Sequence, residues 1–367
     1  MKTTIKREDL LEPLQKVIGA VERKQTLPIL GHVLLQSENG KTTLTATDLE
    51  IELTALLGNL ESDGDFSTTL PARKLLDIVK ALPDRSDITL SSEDGKIRIT
   101  AGRSRFTLGS LQASDFPRID DINPHSQFSL PQKVLKKLID KTAFAMALQD
   151  VRYYLNGMLM ELSDKGIRLV ATDGHRLALS EEPGNIGINA DRQLIIPRKG
   201  VLELGRLLSG DEGDAELLIS QNHIRVQTND LVFTSKLIDG KFPDYNRVIP
   251  EDGNLLMTVE RDLLKQSLYR ISILSNEKYR GINLTLGDNT LGIRAHNPDQ
   301  EEAEEEIGVD YSGTPMEIGF NVTYLLDVLS VLDSDQVLIK LMDPNSSCII
   351  TASDNDNFRY VVMPMRI

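Results

Sequence analysis

The sequence lacks paired cysteines, tryptophan and any long apolar run. Cys348 is the only cysteine among 367 residues, so no intrachain disulfide can form and a metal site with paired thiolates is excluded. A single thiol is typical of a protein that works in a reducing cytoplasm. No run of eighteen apolar residues occurs, and the initial MKTTIKREDLLEPL has no apolar stretch typical of a signal peptide. We therefore expect a cytoplasmic protein with no membrane span.

The composition is that of a globular protein with a strong acidic excess. Hydrophobic residues make up 40% of the chain and charged residues 26%, and the formal net charge is −14. Taken as an average, this charge argues against nucleic acid as a partner. The average conceals segregation, because the candidate helices together are net basic, so the rest of the chain carries the acidic excess. Ordinary solvated helix faces are the alternative interpretation of that pattern.

Three similar segments follow one another along the chain. The first landmark is TATDLEI, then VATDGHRLA, then IRAHNPDQEEAEEE, which places Asp48, Asp173 and Asn297 about 125 residues apart, the size of a whole domain. Solenoid repeats are far shorter, about 20 to 50 residues. A second landmark begins each time near Pro71, Pro197 and Gly319. We therefore predict three tandem domains, here called copies one, two and three, over residues 1–125, 126–252 and 253–367.

Each copy is predicted to begin with a helix and to continue as strands, a second helix and more strands. Apolar residues recur at helical spacing in 7–21, 130–146 and 260–274. Pro71 and Pro197 suit a first helical turn, where the missing N–H costs nothing. Turn signals such as Glu38-Asn39-Gly40 separate the apolar runs between the helices. Helices segregated on sheets give an α+β class.

Opposite ends of the chain carry patches of opposite charge. A basic patch near the end of copy one contrasts with the acidic run DQEEAEEE in copy three, which we interpret as two halves of a head-to-tail interface. A solvated loop is the alternative for the acidic run. Phe106 and Leu108, with Ile273 and Leu274, could supply an apolar centre. The charged candidates are Lys74, Lys96, Arg98, Arg103 and Arg105 on one side and Asp299, Glu301, Glu302, Glu304, Glu305 and Glu306 on the other.

Domain size limits the assembly that such an interface can build. A domain of this length is roughly 35 Å across, so three in a ring leave a hole of about 5 Å and six leave about 35 Å. Duplex DNA is roughly 20 Å wide. Two chains therefore form the smallest closed ring that admits a duplex.

Several motifs together resemble one known family along essentially the full length. The chain resembles the bacterial DNA polymerase III beta subunit, or sliding clamp, family. The motifs are TLPILG, PARK, GRSRF, QDVRYYLNGM, ATDGHRLA, FTSKL, FPDY, LSNEKYRG, NPDQEEAEEE, MEIGFNV and YVVMPMR. The resemblance implies a homodimeric ring of six similar domains, with helices lining the hole and antiparallel sheets outside. Such a ring encircles duplex DNA without reading its sequence, and tethers the replicative polymerase so that synthesis is processive.

The resemblance also implies two sets of site residues, no cofactor and no metal. Contacts with DNA are expected at Lys24, Arg73, Gln149, Arg152, Tyr153, Tyr154, Arg198 and Lys199. A hydrophobic groove is expected for peptides of the polymerase catalytic subunit, the clamp-loader subunits and other proteins with a clamp-binding motif. Its residues are Leu155, Thr172, Gly174, His175, Arg176, Leu177, Pro243, Arg247, Val248, Asn321, Tyr324, Val361, Met363, Pro364, Met365 and Arg366. Lys24, Tyr279 and Ile367 stand where the family commonly has Arg, Phe and Leu.

Two other classes of function remain open from the residues. Asp173 and His175 lie two residues apart and could bind a metal or act as acid and base. No nucleophile motif or phosphate loop accompanies them, and copy one has no histidine at the corresponding place. We therefore expect no catalysis. A scaffold of tandem β-rich domains that never closes is the third possibility.

Overall fold

The computed structural model describes most of the chain as two compact units. The described residues are 2–22, 27–58, 60–62, 64–119, 122–188, 190–208, 213–250, 255–355 and 357–366. The first unit comprises residues 1–133 and 202–237, and the second comprises 134–201 and 238–367. Among the described residues, no helix is both long enough and apolar enough to cross a membrane.

The helices and strands follow the same order in each copy, apart from one additional two-residue strand, β5, in copy one. Copy one contains β1 Lys2–Lys6, α1 Arg7–Val17, β2 His32–Glu38, β3 Lys41–Thr47, β4 Ile51–Leu56, β5 Glu61–Ser62, β6 Phe66–Pro71, α2 Ala72–Ala81, β7 Asp87–Glu93, β8 Lys96–Ala101 and β9 Ser104–Gly109. Copy two contains β10 Ser126–Pro131, α3 Gln132–Asp140, β11 Gly157–Ser163, β12 Gly166–Thr172, β13 Arg176–Pro183, β14 Arg192–Pro197, α4 Arg198–Leu207, β15 Asp214–Ile219, β16 His223–Gln227 and β17 Leu231–Lys236. Copy three contains β18 Leu255–Glu260, α5 Arg261–Ser272, β19 Gly281–Gly287, β20 Thr290–His296, β21 Glu302–Gly308, β22 Met316–Asn321, α6 Val322–Val331, β23 Gln336–Leu341, β24 Cys348–Ala352 and β25 Phe358–Val362.

Two details of the predicted copy are wrong. Each copy begins with a strand (β1, β10 or β18), and the helix comes second. Pro71 and Pro197 end strands β6 and β14, so the helices begin one residue later, at Ala72 and Arg198. Both strands lie at the edge of a sheet. Proline, which has no N–H to donate to a neighbouring strand, is tolerated there. Short strands beside a strongly periodic helix are easily read as part of it.

The first helix of each copy is also shorter than predicted. In copy two the helix ends at Asp140. The Thr142 hydroxyl then donates to the Leu138 carbonyl at 2.7 Å, which satisfies one of the carbonyls that a helix end leaves unpaired. Thr142 therefore belongs to the turn after the helix, although its spacing fits the apolar face.

The sheets join half of one copy to half of the next. One eight-stranded sheet has the order β10-β15-β16-β17-β4-β3-β2-β6 and combines copies two and one. The other has the order β14-β11-β12-β13-β25-β24-β23-β18 and combines copies two and three. The two remaining sheets each come from a single copy, with the orders β5-β1-β7-β8-β9 and β21-β20-β19-β22. The α+β class with three tandem domains and antiparallel sheets is confirmed.

Both junctions between copies use the same antiparallel register. At the first junction, β17 pairs with β4 and places Phe233 opposite Leu53. At the second, β25 pairs with β13 and places Tyr360 opposite Ala178. Leu53 and Ala178 are equivalent, because within their own hairpins they face Ala46 and Ala171 of the repeated landmark.

Strands β9 and β21 hold the corresponding positions in the two smaller sheets. Ala303 of β21 faces Ala295, as Leu53 faces Ala46, so Ala303 is the equivalent residue in copy three. Phe106 of β9 corresponds to Phe233 in the FT-containing landmark. Each strand is the last of its sheet within the described chain.

The repeated aspartate landmark is a turn. Asp48 Oδ1 accepts hydrogen bonds from the backbone N–H groups of Glu50 and Ile51, at 2.9 and 2.8 Å. Asp173 does the same in copy two, and Asn297 Oδ1 accepts from two N–H groups in copy three. A short polar side chain that holds its own following backbone explains why Asp or Asn recurs there.

Helix α2 buries one face and exposes the other. Leu75, Leu76 and Val79 are buried against the sheet, and each contributes about 1.5–3 kcal/mol of hydrophobic free energy. Arg73 and Lys74 lie on the exposed face. Because the apolar residues of α2 occupy its buried face, the side chains of Arg73 and Lys74 face solvent.

Candidate functional site

The floor of the predicted groove is a buried apolar cluster in the second unit. Leu155, Leu177 and Val361 are at most 3% exposed and pack in one cluster, although they come from three distant parts of the chain. The cluster consists of Ala147, Leu155, Leu159, Val170, Leu177, Leu179, Ile195, Phe242, Tyr245, Ile349 and Val361. The structure therefore brings these three predicted residues together.

The predicted groove residues on one side of this cluster belong to an exposed segment that follows Phe242. Pro243, Arg247 and Val248 are all exposed beside the buried cluster. Arg247 donates through Nε to Asp244 at 2.9 Å, and both side chains are largely solvated. Such an exposed pair contributes little to stability, about 0–1 kcal/mol, so the guanidinium is easily recruited by a ligand.

Arg176 is an anchor of the groove rather than a free cation. Its guanidinium donates to Asp173 at 3.1 Å, to Asp327 and to the Phe144 carbonyl at 2.8 Å. Its charge also lies 4.6 Å from the ring centroid of Tyr324. The side chain is only 11% exposed. We conclude that it fixes strand β13 against α6 and holds Tyr324 in place.

Two further predicted groove residues lie at the start of helix α6. Asn321 caps this helix by accepting from Thr323 N at 2.9 Å, and its Nδ2 donates to the Tyr279 carbonyl at 3.3 Å. Tyr324 stacks with His175 at a centroid distance of 6.5 Å. Burial raises the pKa of Tyr324, with the Asp173 carboxylate adding to the shift, so its hydroxyl stays protonated at neutral pH.

The backbone of the last described residues is pinned, and their side chains remain partly accessible. Met363 N donates to the His175 carbonyl and Met365 N to the Gly319 carbonyl, both at 2.9 Å. Met363, Pro364 and Met365 are half-buried, and Arg366 is exposed. Unbranched Met side chains on a fixed backbone can repack around different ligands.

Thr172 and Gly174 shape the turn at the edge of the groove. The Thr172 hydroxyl donates to the Arg176 carbonyl at 2.6 Å and accepts from Gly174 N at 3.1 Å. Gly174 has φ +88°, and a Cβ there would lie 2.9 Å from Arg152 Nη2. Arg152 itself forms a fork with Asp150, at 3.0 Å from Nε and 2.9 Å from Nη2, which lowers the pKa of Asp150 to about 2. Arg152 therefore borders the groove as well as belonging to the predicted DNA set.

Asp173 and His175 each make contacts that hold the turn and the wall beside it. Asp173 Oδ1 accepts from the backbone of His175 and Arg176, and its Oδ2 accepts from the Arg176 side chain. The His175 ring stacks on Tyr324. Within the described ranges, no group of three or more His, Cys, Asp or Glu side chains could hold a metal ion. The pair is explained by the turn and the stacked wall.

The predicted DNA residues are distributed over both units. Lys24 lies outside the described residues. Arg73 is exposed on α2 in the first unit, and Gln149, Arg152 and Tyr153 are exposed in the second. The three half-buried members of the set are Tyr154, Arg198 and Lys199. Arg198 donates to the Met146 carbonyl at 3.1 Å, which aims its guanidinium along a fixed direction.

Two apolar residues of the loop before Tyr153 were missed by sequence reasoning. Leu148 is 76% exposed and Val151 is 95% exposed. Gln149 between them has φ +57°, an unusual conformation for a residue other than glycine. In the sequence, an apolar residue stands on either side of Gln149 and Asp150. This pattern is too short to distinguish an exposed loop from a β-strand.

Some of the predicted interface residues lie on the edge strands β9 and β21 of the two smaller sheets, and the others lie on β8, in the turn after it, on α2, after α5 or in the loop before β21. Lys74, Lys96, Arg98, Arg103 and Arg105 are exposed in the first unit, where Phe106 and Leu108 are half-buried.

In the second unit, Ile273 is 68% exposed and Leu274 is half-buried. The acidic residues beside them differ in exposure. Glu305 is half-buried and accepts from Ser267 at 2.8 Å and from Arg270 Nε at 3.0 Å. The exposed acidic residues are Asp299, Glu301, Glu302, Glu304 and Glu306.

Family models match almost the whole chain. The N-terminal, central and C-terminal domains of the DNA polymerase III beta subunit match residues 1–120, 129–244 and 246–366. The beta sliding clamps of Pseudomonas aeruginosa and Escherichia coli are 52% and 48% identical over 367 residues, covering all of both chains. A crystal structure of the Pseudomonas aeruginosa subunit superposes with a TM-score of 0.97 at 51% identity, again covering all of both chains. The chain therefore belongs to the DNA polymerase III beta subunit family and acts as a sliding clamp that gives processivity in DNA replication.

Proposed function

We propose that two copies of the chain join head to tail and close around duplex DNA. The observation that carries this proposal is the pair of open strands, β9 and β21. Their equivalents, β17 with β4 and β25 with β13, are already paired at the two junctions within the chain. A third junction of the same kind needs a second copy, and two such contacts close a ring of six domains. Pairing also removes two exposed strand edges.

The register of the two existing junctions predicts the register of the third. Phe106 would lie opposite Ala303 of the partner subunit, as Phe233 lies opposite Leu53. One residue away, Arg105 would lie opposite Glu304 of the partner subunit, which places opposite charges in a cross-strand pair.

Apolar side chains next to these strands support the same contact. Ile273 is 68% exposed at the end of α5, and the half-buried Phe106 and Leu108 lie on β9. An interface that buries these residues behind a rim of Lys96, Arg103 and opposing glutamates has the usual arrangement of apolar core and charged rim.

Within the ring, basic residues of the predicted DNA set would attract phosphates without reading bases. Arg73, Arg152 and Lys199 carry the charge, and Gln149 and Tyr153 add polar contacts. Diffuse phosphate contacts give affinity that does not depend on sequence, which suits sliding. We infer that the chain is non-catalytic and works in the bacterial cytoplasm. The boundaries 125/126 and 252/253 remain our proposal for the three domains.

The groove of the second unit would bind the peptides that connect the ring to its partners. Its buried floor at Leu155, Leu177 and Val361 accepts apolar side chains, and the Met363 and Met365 side chains adapt to their shape. The proposed partners are the polymerase III catalytic subunit, clamp-loader subunits and other proteins with a clamp-binding motif.

A cysteine cross-link tests the ring contact. Arg105→Cys combined with Glu304→Cys should give a covalent dimer on a non-reducing gel, because the two residues would lie directly opposite. Cys348 is buried, and burial raises the pKa of its thiol to about 12, so it does not interfere.

Arg105→Cys with Glu305→Cys is the matched control, because Glu305 points to the other face of the strand. A cross-link of equal yield in the control, or none in the first variant, would contradict the register. Wild-type chain that stays monomeric at micromolar concentration in sedimentation would contradict the ring itself.

A further inference from the structure

One cation recurs at the end of the first helix of each copy. Lys16, Lys141 and Arg270 stand at the same distance from the first residue of α1, α3 and α5. An apolar residue lies two positions before each of them and is at most 4% exposed in all three copies. The three cations are therefore equivalent by position, and their partners can be compared directly.

In copies one and two this cation reaches into the next copy. Lys16 of copy one pairs with Asp230 of copy two, which directly precedes β17. Lys141 of copy two pairs with Asp333 of copy three at 2.6 Å, and it also donates to the Val331 carbonyl at the end of α6. Both junctions within the chain are thus tied by a charge-assisted contact from the first helix.

In copy three the equivalent cation is held by its own copy. Arg270 donates from Nε and Nη2 to the two carboxylate oxygens of Glu305 on β21, at 3.0 Å from Nε. The Ser267 hydroxyl donates to the same carboxylate at 2.8 Å. The hydrogen bond from Arg270 lowers the pKa of Glu305, so the carboxylate stays charged. Copies one and two have the buried Ala55 and Ser180 in the place of Glu305, so neither carries a carboxylate that could retain its cation.

The first copy of a partner subunit has no anion at the places that receive this cation elsewhere. Asp230 and Arg103 each lie three residues before the phenylalanine of the FT-containing landmark, so Arg103 of the partner subunit takes the place of Asp230. Pro83 of the partner subunit, after α2, takes the place of Asp333. In the contact between two copies, Arg270 would therefore face another guanidinium, and the two positive charges would repel each other.

We propose that the Arg270–Glu305 pair keeps the contact between two copies separable. The inference rests on the proposed ring. By holding Arg270 in its own copy, Glu305 prevents the repulsion with Arg103 of the partner subunit. The same pairing withholds the contact that ties neighbouring copies at both junctions within the chain. The ring therefore opens between chains, while each chain keeps its own two junctions tied.

Subunit exchange between donor-labelled and acceptor-labelled chains tests the proposal. Arg103→Asp combined with Glu305→Ala gives the contact the residue types of the first junction, and Arg270 can then pair with the new aspartate of the partner subunit. Exchange of this double variant should be about ten times slower than that of the wild type, as expected for one added charge pair across an interface. Either substitution alone should speed exchange, because each leaves two like charges facing across the contact. Opposite signs for the single and double variants show that the sites are coupled.

The matched control adds Arg270→Gln to the double variant, and this should abolish the slowing. Arg270→Gln alone is a second variant and should also slow exchange, because Arg103 of the partner subunit then faces an unpaired Glu305 carboxylate. Thermal unfolding of each variant separates loss of the fold from loss of the contact. Exchange of the double variant or of Arg270→Gln that is as fast as in the wild type would overturn the inference and leave the ring standing. Wild-type chains that remain monomeric at micromolar concentration would overturn the ring and, with it, the inference.

Discussion

The two junctions within the chain share a strand register and differ in what covers them. At the first junction, Glu52 occupies the position that Leu177 occupies at the second, since each precedes the equivalent residues Leu53 and Ala178. The Glu52 carboxylate is buried and accepts from Ile119 N at 2.9 Å. A segment near the end of copy one thus packs over the first junction.

At the second junction the corresponding segment is more exposed. Arg247 and Val248, near the end of copy two in the place of Arg118 and Ile119, are exposed, although Ile249 beside them packs against the buried apolar cluster around Leu177. The same backbone pairing thus carries a buried carboxylate with an N–H partner at the first junction and a leucine within an apolar cluster at the second.

The largest effect is expected when the second junction is given the residue of the first. Leu177→Glu places a carboxylate in a buried apolar cluster. We expect a loss of about 3–5 kcal/mol in the free energy of unfolding at neutral pH, measured by urea denaturation.

Leu177→Gln is the control for this substitution, because glutamine has nearly the same shape as glutamate and carries no charge. The two variants should converge in stability as the pH falls and the carboxyl is protonated. Equal stability of both variants at neutral pH would show that the cluster tolerates the charge and that the groove is wetter than its burial indicates.

A smaller effect is expected at the turn beside each junction. Gly174 has φ +88° and lies against Arg152, whereas the equivalent Leu49 has φ +75° and is 39% exposed. Gly174→Ala should cost about 1–3 kcal/mol through backbone strain, and should also displace the Arg152 side chain.

Leu49→Gly is the reciprocal change and should alter stability by less than about 1 kcal/mol, since relief of strain is offset by greater freedom of the unfolded chain. Thermal unfolding of both variants measures the difference. A Gly174→Ala variant as stable as the wild type would contradict the account of this turn.

The smallest effect concerns the pH dependence of the first junction. Burial raises the pKa of Glu52 above its ordinary value of 4.5, against the opposing effect of the hydrogen bond from Ile119 N. A raised pKa in the folded state means that the contribution of Glu52 to stability is greatest at acidic pH and falls as the pH rises through that pKa.

Glu52→Gln should therefore gain stability relative to the wild type as the pH rises from about 4 toward neutrality. Paired urea titrations at several pH values check the sign. If the wild type instead gained stability relative to Glu52→Gln as the pH rises over this range, the raised pKa of Glu52 would be contradicted.

Sequence reasoning recovered what depends on local pattern and missed what depends on distant partners. The period of the landmarks predicted three copies, and their Asp and Asn residues proved to be turn caps that a local rule explains. Arg176 was expected as a groove residue, but its partner Asp327 lies 151 residues away, and that contact makes it an anchor. The short strand before each first helix was missed because helical periodicity next to it dominates the pattern. An open pocket lined by Tyr279, His296 and Met365 needed the tertiary structure, because three separated segments of the chain form it.

The most direct test of the central claim is a low-resolution electron-microscopy image of the purified chain. The account predicts a particle of two chains with a central hole wider than the roughly 20 Å of duplex DNA. Compact particles without a hole, at any concentration where the chain is dimeric, would contradict it.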